Sequence, residues 1–369
     1  MRTFLEINLK NIAENTRNLK SSIKAKIMVV VKANAYGHGL TEVAKTTEKA
    51  GADFLGVDNI EEGLTLRKAK IKIPILVLGR PDEDPNLLEK AIKNNLTLTV
   101  FDVEIVRAIS KIGVQLGKLC RVHVEVETGM NRYGLMPDEV LDFFKLLKRT
   151  PKIEIEGIYS HFASAESRDK SYTFKQLGNF QKTIEILRRE SFEVPIKHIA
   201  NSAAALSMSS THFDMVRLGI TIYGLFPTPE LGSFFELKPA LTFKSHIVSL
   251  KKLSGGEKVS YDGSYLTDAP TLIAAIPIGY ADGYDRKLSS FAKVLVRGKR
   301  VPQVGKVCMS AMMIDVSGVE GVQLGDEVVL IGEQDGEKIT AGELAGLLGT
   351  INYEIVARLP EHLPRKYIR

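Results

Sequence analysis

The sequence predicts an α/β protein with an N-terminal (β/α)8 TIM barrel followed by a mainly β C-terminal domain. Eight short apolar runs alternate with helix-length segments in the first part of the chain, and polar residues recur where these runs end. Near Pro227, Pro229 and Pro239 the pattern changes to short strands with glycine-rich turns. Alternating strands and helices indicate βαβ units, and eight such units close into a barrel. We place the barrel domain at residues 1–236 and the C-terminal domain at residues 237–369.

The barrel strands are predicted from the short apolar runs. A strand of residues 4–9 comes first, and we expect it either in the barrel domain or packed with the C-terminal domain. Ile12, Leu19 and Ile23 then recur at helical spacing, which predicts an amphipathic helix. The eight predicted barrel strands span residues 27–31, 52–57, 73–78, 96–100, 121–126, 153–159, 196–200 and 215–218.

The C-terminal domain is predicted to contain mostly strands. Glycine-rich turns such as Ser254-Gly-Gly separate its apolar runs. The stretch Thr340-Ala-Gly-Glu343 fits a capping box, so a helix is predicted to begin there and to run toward Leu348, before Tyr353. The predicted strands span residues 241–250, 271–276, 293–296, 301–307 and 327–331.

The composition excludes several classes of protein. The 369 residues are 44% hydrophobic and carry a net charge of +6, as expected for a folded chain with a sizeable core. Because the basic residues are spread along the chain, we expect no nucleic-acid or membrane partner and only a mild preference for anionic ligands. Cys120 and Cys308 lack the spacing of a disulfide framework or metal site, so no metal is expected. No apolar run resembles a signal peptide or a membrane span, so the cytoplasm is the expected location.

One predicted strand ends on a lysine. In the stretch Val29-Val-Val-Lys-Ala-Asn-Ala-Tyr-Gly-His-Gly39, a β-branched run leads to Lys32 and then gives way to small residues and glycines. The strand contains no polar residue, which predicts a buried parallel strand whose terminal ammonium leaves the core at an opening. For this stretch alone, a lysine that merely reaches solvent is the simpler explanation.

Other polar residues also lie at strand ends, where barrel enzymes build their active sites. The loops after strands 7 and 8 contain Asn201-Ser202 and Gly219-Ile220-Thr221, which can cradle a phosphate through a hydroxyl and backbone N–H groups. A serine cap and a turn glycine explain either loop alone. A phosphate site together with a strand-end lysine favours pyridoxal phosphate bound as a Schiff base. The strand-end polar residues are Lys32, Arg132, His161, Asn201, Ser202 and Arg217.

Seven longer motifs are spread over both predicted domains. They are Val31-Lys-Ala-Asn-Ala-Tyr-Gly-His-Gly39, Glu127-Thr-Gly-Met-Asn-Arg132, Ser160-His-Phe-Ala163, Arg217-Leu-Gly-Ile220, Val259-Ser-Tyr261, Gly279-Tyr-Ala-Asp-Gly283 and Val307-Cys-Met309. In this order the motifs resemble those of alanine racemase over nearly the whole chain. The resemblance implies an isomerase that uses pyridoxal phosphate (pyridoxal 5'-phosphate) to interconvert L- and D-alanine and so supplies D-alanine for peptidoglycan.

The resemblance also implies roles for individual residues. Lys32 would carry the cofactor and act as the base on one face of the substrate α-carbon, and Tyr261 would be the base on the other face. In the family this tyrosine comes from the partner subunit, which implies a head-to-tail homodimer with shared active sites. Arg132 would orient the phenolic oxygens of the cofactor and of Tyr261, Met309 would contact the substrate carboxylate, and Tyr280 would narrow the access channel. The residues implied in cofactor binding are Tyr36, His161, Asn201, Ser202, Arg217, Gly219, Ile220 and Tyr353.

These residue types suit racemisation by two bases. A proton must leave one face of the α-carbon while another reaches the opposite face, so the two bases must flank the carbon. An amine and a phenol fill these roles when desolvation and nearby charges favour the neutral amine and the phenolate. The family aims the residue equivalent to Arg217 at the pyridine nitrogen. Since an arginine cannot give up a proton, that nitrogen stays unprotonated and the ring becomes a weaker electron sink, which limits the reaction to proton exchange.

Several positions depart from the family pattern. Many relatives carry a carbamylated lysine where this chain has Glu125, and we expect Glu125 to hold Arg132 directly by a charge-assisted hydrogen bond; a surface glutamate is the alternative. Asn131 replaces a usual glycine. Ser310-Ala311 stand where Asp-Gln usually follows, and smaller residues there could admit serine or lysine alongside or instead of alanine.

Two other classes of protein are alternatives. A pyridoxal phosphate carrier shares the barrel and the lysine but ends with the barrel, whereas this chain continues through Tyr261 and Tyr353. A decarboxylase of the same fold is expected to place a carboxylate at the pyridine nitrogen, which Arg217 contradicts. An amino-acid racemase is therefore the preferred interpretation.

Overall fold

The computed structural model describes residues 3–233 and 235–369, and the chain divides into two compact units. One unit comprises Asn11–Ala35 and Leu40–Pro239. The other comprises Ala240–Arg369 together with Tyr36–Gly39 and the residues up to Lys10. The first strand, β1 (Phe4–Asn8), therefore belongs to the unit that holds the C-terminal part of the chain. Among the described residues, every helix is too short or too polar to cross a lipid bilayer.

Eight parallel strands form the barrel of the first unit, as predicted. In chain order they are β2 (Lys26–Val30), β3 (Phe54–Val57), β4 (Ile75–Val77), β5 (Thr97–Val100), β6 (Cys120–Glu125), β7 (Ile153–Tyr159), β8 (Ile196–His198) and β9 (Met215–Leu218). Each strand from β2 to β7 pairs with the next along the chain, and β9 pairs with β2. Two backbone hydrogen bonds bridge the remaining gap between β8 and β9, from Asp214 N to Lys197 O (3.1 Å) and from Arg217 N to Ala200 O (2.9 Å).

Helices flank the barrel strands. In the first helix Ile12 and Leu19 are fully buried, as their helical spacing predicts. The helix after β5 begins where Asp102 accepts a hydrogen bond from Ile105 N (2.9 Å), and it ends at Gly117, whose φ is 67°. The α-helices are Leu9–Ser22, Leu40–Lys49, Ile60–Lys68, Pro85–Lys93, Val103–Leu116, Val140–Arg149, Ser171–Arg189 and Ser202–Ser207, and the 3-10 helices are Ser209–Thr211, Ile220–Tyr223 and Pro229–Ser233.

Both apolar and polar side chains are buried in the barrel unit. One apolar cluster is formed by Met28, Phe54, Leu76, Ile196 and Met215, none of which is more than 5% exposed. A second set of buried side chains is polar, and such groups are tolerated in a protein interior when they are hydrogen-bonded. The members of this polar set are Thr97, Thr99, His123, Glu125, Tyr159, His198 and Arg217.

A ten-stranded sheet forms most of the second unit. Its strands after β1 are β10 (Leu241–His246), β11 (Ser249–Leu253), β14 (Thr271–Ile276), β15 (Lys293–Val296), β16 (Lys299–Val304), β17 (Met312–Asp315), β18 (Glu327–Gln334), β19 (Glu337–Ile339) and β20 (Arg365–Ile368); β12 (Lys258–Val259) and β13 (Tyr265–Leu266) form a separate pair. The order is β11-β14-β17-β16-β15-β18-β10-β1-β20, with β19 on β18. β1 pairs antiparallel with β10 and parallel with β20.

One strand prediction in this unit is wrong at its centre. Residues 241–250 form two strands, β10 and β11, instead of one. The chain changes neighbours between them, because Ile247 N donates to Asp326 O whereas Val248 N donates to Ala275 O, both at 2.9 Å. Both residue types favour strands, so the sequence carries no sign of this corner.

The helix predicted near the end of the chain is confirmed. It spans Ala341–Leu348, and Thr340 Oγ1 caps it by accepting a hydrogen bond from Glu343 N (3.0 Å). A further short helix that we did not predict, Asn352–Ala357, carries Tyr353. Three 3-10 helices complete the unit: Tyr261–Gly263, Tyr280–Asp282 and Arg286–Leu288.

Candidate active site

Lys32 lies just beyond β2, at the C-terminal end of the barrel strands. Its side chain is 40% exposed, and its Nζ donates a hydrogen bond to Asp58 Oδ1 (3.0 Å). Asp58 directly follows β3, so it too is a polar residue at a strand end. Lys32 opens to solvent as predicted, but its carboxylate partner Asp58 was not predicted. The signal was available, because Asp58 stands in the same kind of position as the other strand-end polar residues.

The turn that begins at Lys32 is left-handed. Residues 33–36 all have φ between 52° and 54°, although none is a glycine. A left-handed residue other than glycine costs about 1–2 kcal/mol, so surrounding contacts must hold the turn in place. Asn34 supplies one of them, since its Oδ1 accepts a hydrogen bond from Leu40 N (2.8 Å). Strain of this kind is typical of functional sites.

Arg217 is a buried cation held from several sides. It is 4% exposed, its Nη1 donates to His198 Nδ1 (2.9 Å), and its Nη2 donates to Ser160 O (2.7 Å) and His161 Nδ1 (3.0 Å). Burial lowers the pKa of Arg217 to about 10, so the guanidinium remains charged at neutral pH. These bonds, one of which joins Arg217 to the predicted site residue His161, together fix the orientation of the guanidinium.

Two histidines that were not assigned to the site from the sequence, His198 and His123, lie behind Arg217. Burial, followed by the adjacent charge of Arg217, lowers the pKa of His198 well below the usual value, as it does for His161. His198 Nε2 meets His123 Nδ1 at 2.9 Å, and His123 Nε2 meets Glu156 Oε2 at 3.3 Å. The cation at the site is therefore continuous with a hydrogen-bonded line of side chains in the barrel unit.

Glu125 is buried and does not hold Arg132 as expected. It is 4% exposed, which rules out the surface alternative, and its Oε2 accepts a hydrogen bond from the Tyr159 hydroxyl (3.1 Å). Arg132 is exposed, and among the described residues it makes no hydrogen bond to Glu125. Burial raises the pKa of Glu125, although the charges of Arg217 and Arg132 oppose this. The expected bond fails because Glu125 points into the buried polar set, where the Tyr159 hydroxyl is its donor.

The two loops proposed for phosphate lie together at the ends of β8 and β9. Ser202 Oγ accepts a hydrogen bond from Gly219 N (3.0 Å) and lies 3.2 Å from Thr221 Oγ1. Asn201 has a structural role as well, since its Oδ1 caps the following short helix by accepting from Ala204 N (3.0 Å). Ile220 is fully buried and directly follows Gly219. The structure thus brings the predicted hydroxyl and backbone N–H groups to one place.

The barrel residues suit an aldehyde cofactor that carries a phosphate. Lys32 presents an exposed primary amine, which is the group that forms a Schiff base. Ser202 offers a hydroxyl that accepts a hydrogen bond from Gly219 N (3.0 Å) and can donate its own proton to a phosphate. Arg217 adds a fixed positive charge. This set of donors fits pyridoxal phosphate, whose phosphate is anionic and whose ring nitrogen accepts a hydrogen bond.

Tyr261 lies in the second unit and is strongly exposed. Tyr261 is 64% exposed, and it is the first residue of a 3-10 helix of three residues. The preceding Ser260 has φ of 70° and anchors the loop by donating from Oγ to Lys306 O (2.8 Å), and Lys306 also forms an ion pair with Asp262. A large aromatic side chain held out from a braced loop is available for contact with another molecule.

Four other predicted residues of the second unit form two neighbouring pairs. Tyr280 lies beside Met309, because Tyr280 N donates to Cys308 O (3.1 Å) and Ala281 N donates to Met309 O (3.0 Å). Both side chains are exposed. The rings of Tyr36 and Tyr353 lie 6.2 Å apart. These pairings join motifs that are distant in sequence.

Comparison with known proteins identifies relatives along the whole chain. The family described as alanine racemase, N-terminal domain, matches residues 7–227, and the family described as alanine racemase, C-terminal domain, matches residues 240–367. The chain is similar to the alanine racemase of Symbiobacterium thermophilum, with 44% identity over 366 residues, 99% of this chain and 97% of that protein. It is similar to the solved structure of alanine racemase from Bacillus anthracis with bound L-Ala-P (40% identity, TM-score 0.93), covering 100% of this chain and 95% of that one. The structure of the Clostridium difficile 630 alanine racemase in complex with cycloserine is also similar (36% identity, TM-score 0.91; 100% and 96% covered).

Proposed function

This chain belongs to the alanine racemase family, and we propose that it interconverts L- and D-alanine with pyridoxal phosphate as its cofactor. The observation that carries the proposal is that one barrel holds both an exposed strand-end amine, Lys32, and a buried, hydrogen-bonded cation, Arg217. An amine can carry the cofactor, and an arginine at the pyridine nitrogen restricts the chemistry to proton exchange. The enzyme is therefore an isomerase.

Lys32 and the loop residues are proposed to hold the cofactor. Bound pyridoxal phosphate supplies an aldehyde for the substrate amine and a conjugated ring that withdraws electrons from the α-carbon. Ser202, Gly219 and Ile220 are proposed to bind the phosphate, and Tyr36 and Tyr353 keep the same predicted role. The hydrogen bond from Lys32 Nζ to Asp58 Oδ1 must open before Nζ can bond to the cofactor.

Tyr261 is proposed to be the second base and to come from a partner subunit. Support comes from its 64% exposure and from other large apolar side chains of the same unit that are exposed, Phe291 (73%), Met309 (60%) and Leu266 (52%). Covering such a surface is favourable at about 25 cal/mol per Å² of apolar area. The head-to-tail homodimer expected from the sequence would use this surface, with Arg132 and Met309 on the substrate side.

Alanine is proposed as the main substrate. Serine or lysine as the preferred substrate, a cofactor carrier and a decarboxylase are not favoured, because relatives 40–44% identical over 98–99% of this chain are alanine racemases. Ser310 and Ala311 lie in a tight turn in which Cys308 N donates to Ala311 O (2.9 Å). Their effect on the size of accepted side chains stays a prediction, as do the cytoplasmic location and the domain boundary at residue 236.

The proposal is tested by product analysis. Purified protein with pyridoxal phosphate is incubated with L-alanine, L-serine or L-lysine, and each D-isomer is measured by chiral chromatography. D-alanine is expected to form fastest, and Lys32→Ala is expected to abolish both turnover and the absorbance of the bound cofactor. Lys26→Ala is the matched control, since it removes an exposed lysine from the other end of the same strand. An absorbance that depends on Lys32 without any D-isomer would favour the carrier alternative.

A further inference from the structure

A line of four side chains crosses the interior of the barrel unit. Arg217 Nη1 meets His198 Nδ1 at 2.9 Å, His198 Nε2 meets His123 Nδ1 at 2.9 Å, and His123 Nε2 meets Glu156 Oε2 at 3.3 Å. Both histidines are completely buried. Glu156 also accepts a hydrogen bond from Thr97 Oγ1 (2.9 Å) on the first residue of β5, so its carboxylate lies toward the N-terminal end of that strand. The line therefore runs from the substrate end of the barrel toward its other end.

One arrangement of protons satisfies the whole line. A guanidinium has donors only, so His198 Nδ1 must accept and the His198 proton must be on Nε2. That proton is donated to His123 Nδ1, and the His123 proton is consequently on Nε2, where it is donated to the carboxylate of Glu156. Both imidazoles are neutral in this arrangement. Each bond thus points from the Arg217 cation toward the Glu156 anion.

We propose that Glu156 is a positioning residue for Arg217 and acts on it through His123 and His198. An anionic terminal acceptor makes the Nε2–H tautomer of His123 the favoured one, and this in turn makes His198 present a lone pair to Arg217. Without the acceptor, the Nδ1–H tautomer of His123 would face the Nε2–H of His198, and the line would break. The guanidinium would then lose one of the bonds that fix its orientation. The proposal rests on the proposed function, in which Arg217 meets the pyridine nitrogen.

The backbone around Glu156 is shaped for this contact. In the pairing of β6 with β7, Val122 lies opposite Ile155 and His123 lies opposite Gly157, so Glu156 is the extra residue of a β-bulge. A bulge re-aims the side chain of its extra residue. The next residue, Gly157, has no Cβ, and a Cβ there would lie 2.5 Å from the His123 ring. The bulge and the glycine together allow the His123 imidazole to contact the Glu156 carboxylate.

Two substitutions at Glu156 and one neighbouring control test the proposal. Glu156→Leu removes the acceptor and is expected to lower kcat for alanine about tenfold with little change in KM, as for a lost hydrogen bond that orients a buried charge. Glu156→Gln keeps an acceptor oxygen and is expected to restore most of the rate. Glu154→Leu is the control, since Glu154 lies on the same strand and also faces Arg121 (3.6 Å) but is exposed and lies outside the line.

Histidine tautomers provide a readout that needs no turnover. ¹⁵N NMR of the histidine-labelled holoenzyme, with signals assigned by loss in His123→Gln and His198→Gln, is expected to show both residues protonated at Nε2 only. In Glu156→Leu the His123 signals are expected to move toward the Nδ1–H form, and in Glu154→Leu they are expected to stay. An Nδ1–H tautomer in the unsubstituted enzyme, or equal loss of rate in all three variants with unchanged tautomers, would overturn the proposal. A wild-type enzyme that makes no D-alanine would instead contradict the proposed function and leave the tautomer result interpretable.

Discussion

The charge of Arg217 dictates the protonation of the residues around it. His161 and His198 each offer Nδ1 as an acceptor to the guanidinium, and neither can accept a hydrogen bond at that atom when protonated there. A second cation in the same buried space would also be repelled by the first. Burial lowers the pKa of His123 as well, against the opposing effect of Glu156. The barrel thus holds one cation among imidazoles that stay neutral.

These neutral histidines predict that stability falls in acid. The pKa values of His123 and His198 are lowered on folding, so above about pH 6.5 they are neutral in both states and contribute no slope. Below that pH the unfolded chain binds protons that the folded chain does not. Each histidine then lowers the free energy of unfolding by up to about 1.4 kcal/mol per pH unit, until the folded-state pKa is reached.

The measurement is urea unfolding of the wild type and of His123→Gln at one fixed protein concentration, between about pH 7.5 and about pH 5. The variant is expected to be less stable at neutral pH, since it interrupts the buried line, but to lose less stability on acidification. Parallel pH profiles for the two proteins would show that His123 does not remain neutral in the fold.

Single residues were predictable where their position in a strand carried the signal. Lys32 and Arg217 were found because each polar side chain stands at or near the end of an apolar run. Glu156 was not found, because the bulge in β7 shifts the alternation of side chains, and a bulge leaves no mark in residue type. Glu125 was recognised, but its bonding partner was not, since the choice between Arg132 and Tyr159 depends on three-dimensional distances.

Helices and strands were predicted best where the spacing of apolar residues stayed regular along the whole element. All eight barrel strands were found, with end positions shifted by a few residues at most. The left-handed turn of residues 33–36 could not be predicted, because alanine does not favour positive φ. The corner between β10 and β11 was missed for a related reason, since Ile247 and Val248 are good strand formers.

Two glycines with positive φ, Gly117 and Gly224, allow the cost of backbone strain to be measured separately from the cost of a steric clash. Gly224 (φ 81°) ends the 3-10 helix Ile220–Tyr223 after the proposed phosphate loop, and a Cβ there would lie 2.0 Å from Lys238 O. Gly117 (φ 67°) ends the helix Val103–Leu116, and a Cβ there would meet nothing within 4 Å. Gly117→Ala is expected to cost about 1 kcal/mol from conformation alone.

Gly224→Ala is expected to cost about 3 kcal/mol or more, because a clash with a backbone carbonyl adds to the same strain. Urea denaturation of both variants measures the difference. The Lys238 carbonyl cannot easily move away, since it accepts a hydrogen bond from Asn15 Nδ2 (2.9 Å). Equal losses in the two variants would mean that the segment around Lys238 yields without cost.

At the scale of the whole molecule, the two units hold different halves of the proposed chemistry. The barrel unit contains Lys32 and Arg217, and the unit built on the ten-stranded sheet contains Tyr261, Met309 and Tyr353. The second unit also leaves large apolar side chains exposed, including Phe291. Where such side chains lie together in one patch, a partner commonly covers them. The sequence motifs predicted both halves, but a partner subunit cannot be deduced from the order of motifs along one chain.

A heterodimer of two inactive variants tests whether each active site is shared between subunits. Lys32→Ala and Tyr261→Phe are co-expressed with different affinity tags, and the mixed dimer is isolated by two successive purifications. In a dimer with shared sites, one site of the mixed dimer carries both substitutions and the other carries neither. The mixed dimer is therefore expected to have about half the activity of the wild-type dimer, whereas each parent homodimer has almost none.

A second mixed dimer distinguishes active sites shared between subunits from active sites formed within one chain. When a subunit with both substitutions is paired with a wild-type subunit, every shared site contains one substitution, so this dimer is expected to be almost inactive. If Lys32 and Tyr261 of the same chain formed each site, the wild-type subunit would remain active and this dimer would retain about half the activity. The two tagged dimers thus give opposite patterns for the two arrangements. Because Tyr261 is exposed and Lys32 lies at a strand end, neither substitution removes a core contact on which folding of the subunit depends.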